Sequence, residues 1–221
     1  MITRPRLLAA TGLALLAAAL GGCKSKGDIV VDEGVGITAV RGACPAVGIP
    51  DYTGDITLFR TPGATDAGSI DVTAAITRLR PVCDEKSTGE KVYSQTGFDV
   101  LARRTDTRGA RTVELPYFVT VLRGGTAVVT KRVGTVILNF ADGQERAEAH
   151  AQAGAYIDRA EATLPDDIRR QITRKRKAGE ADAAIDPLTL PSVRAAVARA
   201  NFEVLIGFQL NEAQLAYNVT R

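Results

Sequence analysis

Residues 113–156 read VELPYFVTVLRGGTAVVTKRVGTVILNFADGQERAEAHAQAGAY, and a period of two runs through most of them. Val113, Leu115, Tyr117, Val119 and Val121 fall on one face of an extended chain, which is the mark of a half-buried strand. Gly124-Gly125 reads as a two-residue hairpin loop, because glycine takes positive φ without steric cost. Residues 126–141 continue as a long strand in which Gly134 signals a bulge or bend. Asp142-Gly143 supplies a second two-residue hairpin signal. The segment after it, 144–156, is alanine-rich and has helical propensity. Its spacing decides otherwise. Ala147, Ala149, Ala151, Ala153 and Ala155 would spread around a helix, whereas in a strand they line one face. A strand is expected, with His150 opposite the alanines and toward solvent.

The same alternation extends on both sides. Strands are expected over 36–43, 55–60, 69–78 and from Gly97 through Arg103, where Phe98, Val100 and Ala102 alternate with Asp99, Leu101 and Arg103. Pro50, Gly54, Pro62-Gly63 and Gly68 punctuate them. Helices are expected near 164–178 and 191–200. The first has Asp166 and Asp167 at its N-terminal end and Arg174 to Lys177 at its C-terminal end, both complementing the helix dipole. Ile168 and Ile172 form its apolar seam. Residues 202–210 form a strongly apolar strand, and Asn211 with Gln214 three later suggests a capping box and one helical turn over 212–217. The fold class is therefore mainly β with two late helices. Seven or eight short antiparallel strands would form a β-sandwich or open barrel, α+β in its C-terminal third. Without a Trp the immunoglobulin pattern is not met.

The N-terminus has a different character. Arg4 and Arg6 precede an apolar run over 7–20, too short for the roughly 20 residues of a membrane span and typical of a secretory leader. It ends in Leu20-Gly21-Gly22-Cys23. That quartet resembles the lipobox of bacterial lipoproteins. The resemblance implies removal of residues 1–22, a diacylglyceryl group on the Cys23 thiol and an acyl chain on its amine, with no further cofactor. Residues 23–36 would then be anchor and tether, and 37–221 a single globular domain. Lys24 after the cysteine resembles an outer-membrane address, with the domain facing the periplasm. Asp186-Pro187, Phe208-Gln209-Leu210 and Ala216-Tyr217-Asn218 are similar to a group of small proteobacterial lipoproteins, a likeness that implies no activity.

Composition narrows the function classes. Aromatic residues make up 5% and Trp is absent, which weakens readings that depend on stacking bases or sugars. Losing Arg4 and Arg6 with the leader takes 28 basic residues to 26 against 25 acidic, so overall charge does not suggest a polyanion binder, and nucleic acid is not expected. Cys44 and Cys83 remain once Cys23 carries lipid, an even pair that in an exported protein favours a disulfide. Two cysteines and one histidine fall short of a zinc set. His150 has no neighbouring nucleophile motif. Asp84, Glu85, Glu90 and Asp99 are the carboxylates a glycan hydrolase would draw on, but such a pairing is spatial. Arg169, Arg170, Arg174, Lys175, Arg176 and Lys177 are the one concentrated charge, and could face an anionic lipid or an acidic envelope protein. The expected function is a lipid-anchored, non-catalytic structural or interaction module that uses a sheet face or this basic helix. The alternative is a carboxylate-dependent hydrolase acting on envelope glycan.

Overall fold

The computed structural model describes residues 42–174 and 185–221. The leader, Cys23, the tether and Lys175, Arg176 and Lys177 lie outside the described residues. The described residues form eight strands: β1 (Ala46–Gly48), β2 (Asp55–Phe59), β3 (Ile70–Cys83), β4 (Lys91–Arg104), β5 (Arg111–Arg123), β6 (Ala127–Phe140), β7 (Arg146–Asp158) and β8 (Phe202–Phe208). Four helices follow the seventh strand: α1 (Arg159–Ala162), α2 (Asp166–Thr173), α3 (Pro191–Ala200) and α4 (Glu212–Thr220). Among the described residues no helix is long and apolar enough to cross a membrane.

The strands form two four-stranded sheets, ordered β1-β8-β5-β6 and β2-β3-β4-β7, one of them curled into a half-barrel. Their inner faces share one core. Leu115, Val121, Leu138, Ile206 and Phe208 from the first sheet pack with Val72, Phe98, Val100 and Ile157 from the second. Each such side chain contributes roughly 1.5–3 kcal/mol on full burial. The alanines of β7 face inward, as their spacing predicts, with Ala153 and Ala155 fully buried. A disulfide joins Cys44, just before β1, to Cys83 at the end of β3, with Cα atoms 6.0 Å apart. It ties the first sheet to the second, as the even cysteine pair suggested.

Several local expectations need correction. Five of the strands run 13 or 14 residues rather than being short, and β1 pairs with β8 in parallel. Of the strand expected over 36–43, residues 36–41 lie outside the described residues and 42–43 belong to no strand. The Gly124-Gly125 loop has three residues, because Arg123 pairs with Ala127. The extra residue is accommodated by positive φ at both glycines and a register shift after Val121. Gly134 marks no bulge. It sits opposite Tyr117 in unbroken register, and a Cβ there would lie 2.6 Å from the Tyr117 ring. Its missing side chain makes room for that ring, which packs edge-on against Phe98 and donates a hydrogen bond from Oη to the Gln152 carbonyl at 3.2 Å.

The largest correction concerns Asp142-Gly143. The turn forms, with Gly143 at φ 75° and the Gln144 amide donating to the Ala141 carbonyl at 3.0 Å. The strands it joins do not pair with each other. β6 stays on β5, and β7 crosses to the other sheet to pair with β4 from Lys91↔Asp158 to Arg103↔Arg146. Turn chemistry sets a chain reversal but not the partner. The crossing is held by Arg104, whose side chain is wholly buried. It donates to the carbonyls of Thr107, Gly109, Ala141 and Gln144 at 2.7–2.8 Å, with its guanidinium 5.2 Å from the centre of the Phe140 ring.

The helices gather at the ends and edges of the sheets. α3 spans the range its sequence predicts, with Val193 and Ala196 buried. α4 is longer than one turn, and its capping box is complete, with Asn211 and Gln214 exchanging two 2.9 Å bonds. α2 ends at Thr173, short of the expected 178, since Arg174 already leaves helical geometry at ψ 121°.

Candidate functional site

The outer face of the second sheet carries the densest chemistry among the described residues, and its register lays it out in rows. From one end the rows are Thr73–Arg103–Arg146, then Ala75–Leu101–Glu148, then Thr77–Asp99–His150. Arg80–Gly97–Gln152, Val82–Gln95–Gly154 and Tyr93–Tyr156 continue it. The face is open. His150 is 72% exposed in its side chain, Val82 71% and Tyr156 66%.

Asp99 is the exception, at 1% exposure on an uncovered face, because cations bury it. Arg80 grips both its oxygens, with Nη1 and Nη2 donating at 2.8 and 2.7 Å. His150 Nδ1 bonds to Oδ1, and Arg78 Nε donates to Oδ2 while its Nη2 reaches Glu148. The fork of Arg80, then His150, then Arg78 hold the Asp99 carboxyl far below the usual carboxylate range. An ionised carboxylate only accepts, so His150 Nδ1 is the donor of their bond.

This convergence depends on a fault in the strand. The β3–β4 register shifts between Thr77 and Arg80, so Arg78 and Leu79 together oppose one residue of β4. Arg78 sits at φ 52°. In an unbroken strand Arg78 would follow Ile76 onto the core face. The bulge turns it outward instead, beside Arg80. A non-glycine residue in the left-handed region costs on the order of 1–3 kcal/mol.

One ligand atom each from Asp99, Glu148 and His150 lie within 4.8 Å of one another, a spacing that would suit a cation. The guanidiniums of Arg78 and Arg80 already take both Asp99 oxygens, so a metal would have to displace them. The arrangement is a closed ion-pair network. Asp99 also cannot supply the proton that a glycosidase acid must deliver. Glu90 precedes it by nine positions, and Asp84 follows Cys83, whose partner Ser94 is five positions from Asp99, which at about 3.3 Å per residue sets them roughly 30 and 20 Å away. Asp84 accepts from the Lys86 amide at 3.0 Å, and it and Glu85 are exposed in the loop after β3. The structure does not bring the four carboxylates together.

The basic helix is partly spent on itself. Arg169 donates to the Leu164 carbonyl at 3.3 Å and pairs with Asp166 at 3.0 Å. Arg170 and Arg174 line a cleft of about 390 Å³ with Asp167, Gln171, Ile185, Pro187 and Leu190.

Sequence reading placed His150 on an exposed strand face and named Asp99, but missed that they are cross-strand partners. It also missed Arg78, Arg80 and Glu148. One signal was available: Arg78 occupies a core-parity position after Val72, Ala74 and Ile76, which announces a bulge. Comparison with protein-family models, with curated proteins and with solved structures finds no match to this chain.

Proposed function

We propose that this chain is a lipid-anchored, non-catalytic interaction module of the cell envelope that binds through the outer face of its second sheet. The bulge at Arg78 carries the reading. A chain that spends backbone strain to aim two arginines at one carboxylate, on a face that no helix of the described residues covers, has fixed the shape and charge of an exposed surface. The network leaves Asp99 saturated with donors, which favours binding over acid–base work. The anchor rests on the lipobox at Cys23, and Lys24 favours the outer membrane with the domain in the periplasm. The partner class is an envelope protein or an anionic lipid.

Two arms test this. Membrane fractionation and detergent partitioning of wild type and Cys23→Ala test the anchor, and identical soluble behaviour of both would remove it. A crosslinking pull-down from intact cells tests the face. Leu101→Arg and Tyr156→Arg are expected to lose the wild-type adduct, whereas Arg170→Gln with Arg174→Gln retains it. Loss only in the helix variant would move the binding surface to α2.

A further inference from the structure

One end of this face is built for an anion. Arg103 and Arg146 are direct cross-strand partners on β4 and β7. Like charges placed opposite each other destabilise a sheet unless a counter-charge lies between them. Arg103 uses Nε on Glu145, and its terminal nitrogens have no partner among the described residues. Arg146 has no hydrogen-bond or ion-pair partner among the described residues. Arg221, beyond α4, reaches the same place and pairs with Asp55. The three guanidiniums border a cleft of about 400 Å³ whose floor is made of small side chains, Thr57, Thr73 and Ala75, with Leu101 at its margin.

The charge balance selects the ligand. Among the side chains that meet there, three arginines face Asp55 and Glu145, an excess of one positive charge that a singly charged ligand answers. The guanidiniums come from three separate elements rather than one plane. A tetrahedral group with several acceptor oxygens answers that arrangement better than a flat carboxylate, and arginine's donor fork suits phosphate oxygens.

We propose that the Arg103–Arg146–Arg221 cleft binds a singly charged phosphodiester, the chemistry an anionic phospholipid headgroup presents. This rests on the reading that the outer sheet face binds, and names what one end of it takes.

Calorimetry uses the full chain in a neutral detergent, and flotation uses the Cys23→Ala chain, which carries no acyl anchor, without detergent. Calorimetric titration with glycerophosphoglycerol probes the free phosphodiester, and co-flotation with phosphatidylglycerol against phosphatidylcholine vesicles probes the lipid source. Wild type is expected to bind at least one of the two phosphodiester probes, the soluble one with a Kd of about 1 mM or tighter. Arg146→Gln should weaken that binding at least about tenfold, the loss of a charge-assisted hydrogen bond. Arg146→Lys, which keeps the charge but not the fork, should lose less. Arg132→Gln removes a cation on the other sheet and should change nothing. Circular dichroism confirms that each variant is folded, and if Arg146→Gln is not, Arg146→Lys alone must still show weakening. Binding of the vesicles only, sensitive to Arg146, assigns the lipid as source. Binding of both probes assigns the phosphodiester itself. No binding to either probe, or equal binding by wild type and both Arg146 variants, overturns the proposal. If the crosslinks at Leu101 and Tyr156 persist in that case, the face survives as a binding surface without an anion site.

Discussion

Arg104→Leu is the substitution with the largest consequence that the fold implies. The side chain is wholly buried and donates four hydrogen bonds to carbonyls of two loops, 105–110 and 141–145, that belong to different sheet connections. Leucine retains some packing on Phe140 but leaves all four acceptors without their donor. A bond from a charged donor is worth about 1.5–3 kcal/mol, yet both loops border solvent and their carbonyls can recover water, so the value of an ordinary hydrogen bond, about 1 kcal/mol each, applies. The expected loss is therefore about 4 kcal/mol, a large share of the roughly 5–15 kcal/mol of a typical domain. At about 2–4 °C per kcal/mol for this size, the melting temperature should fall by about 8–16 °C. Arg104→Lys keeps the charge and reaches fewer acceptors, so it should fall in between. Urea unfolding followed by circular dichroism gives the energy. Hydrogen exchange gives the location: amides of Gly109 and Gly143, which bond across the same two loops, should lose protection first. A loss below about 1 kcal/mol for Arg104→Leu, with those amides unchanged, would refute the clamp.

Replacing Cys44 and Cys83 together by Ala should cost about 4 kcal/mol by the loop-entropy model for this 39-residue separation, read from urea midpoints against the oxidised wild type. Gly134→Val should destabilise by about 1–3 kcal/mol because its side chain would overlap the Tyr117 ring, and the double variant with Tyr117→Ala should recover part of that loss; a double variant no better than the sum of the singles would reject the steric account. Asp99 has a depressed carboxyl, so its contribution is present above about pH 4 and lost as pH falls further, when the unfolded chain takes a proton that the folded one refuses. Melting curves of wild type and Asp99→Asn should therefore converge between about pH 4 and pH 2, and parallel curves over that range would contradict the network.

The period-two pattern identified most strands and their inward faces, including the alanine face of β7, because alternation reports burial directly. It could not report pairing. Asp142-Gly143 carries the chemistry of a hairpin turn whether the next strand returns beside its predecessor or crosses to the other sheet. That single ambiguity concealed the site. With β7 placed beside β6, His150 and Glu148 lie far from Asp99, and with β7 on β4 they meet it. The bulge at Arg78 was hidden for a related reason, since the apolar alternation ends there and the strand was expected to end with it. The disulfide was readable from cysteine parity together with the exported compartment that the leader-like N-terminus suggests. The fork of Arg104 was not, because a lone arginine at a core-parity position near a strand end looks like any surface residue until the loops that it binds are in place.

Use of the outer face of the second sheet as the binding surface is directly testable. A photo-crosslinking amino acid placed singly at Leu101 and Tyr156 on that face, and at Val133 and Ile137 on the outer face of the first sheet, compares two exposed surfaces of similar apolar character. Crosslinking in intact cells, with adducts to protein or lipid resolved by mass spectrometry, should give specific products at Leu101 and Tyr156 that Arg78→Ala diminishes. Products confined to Val133 and Ile137, or unaffected by Arg78→Ala, would contradict it.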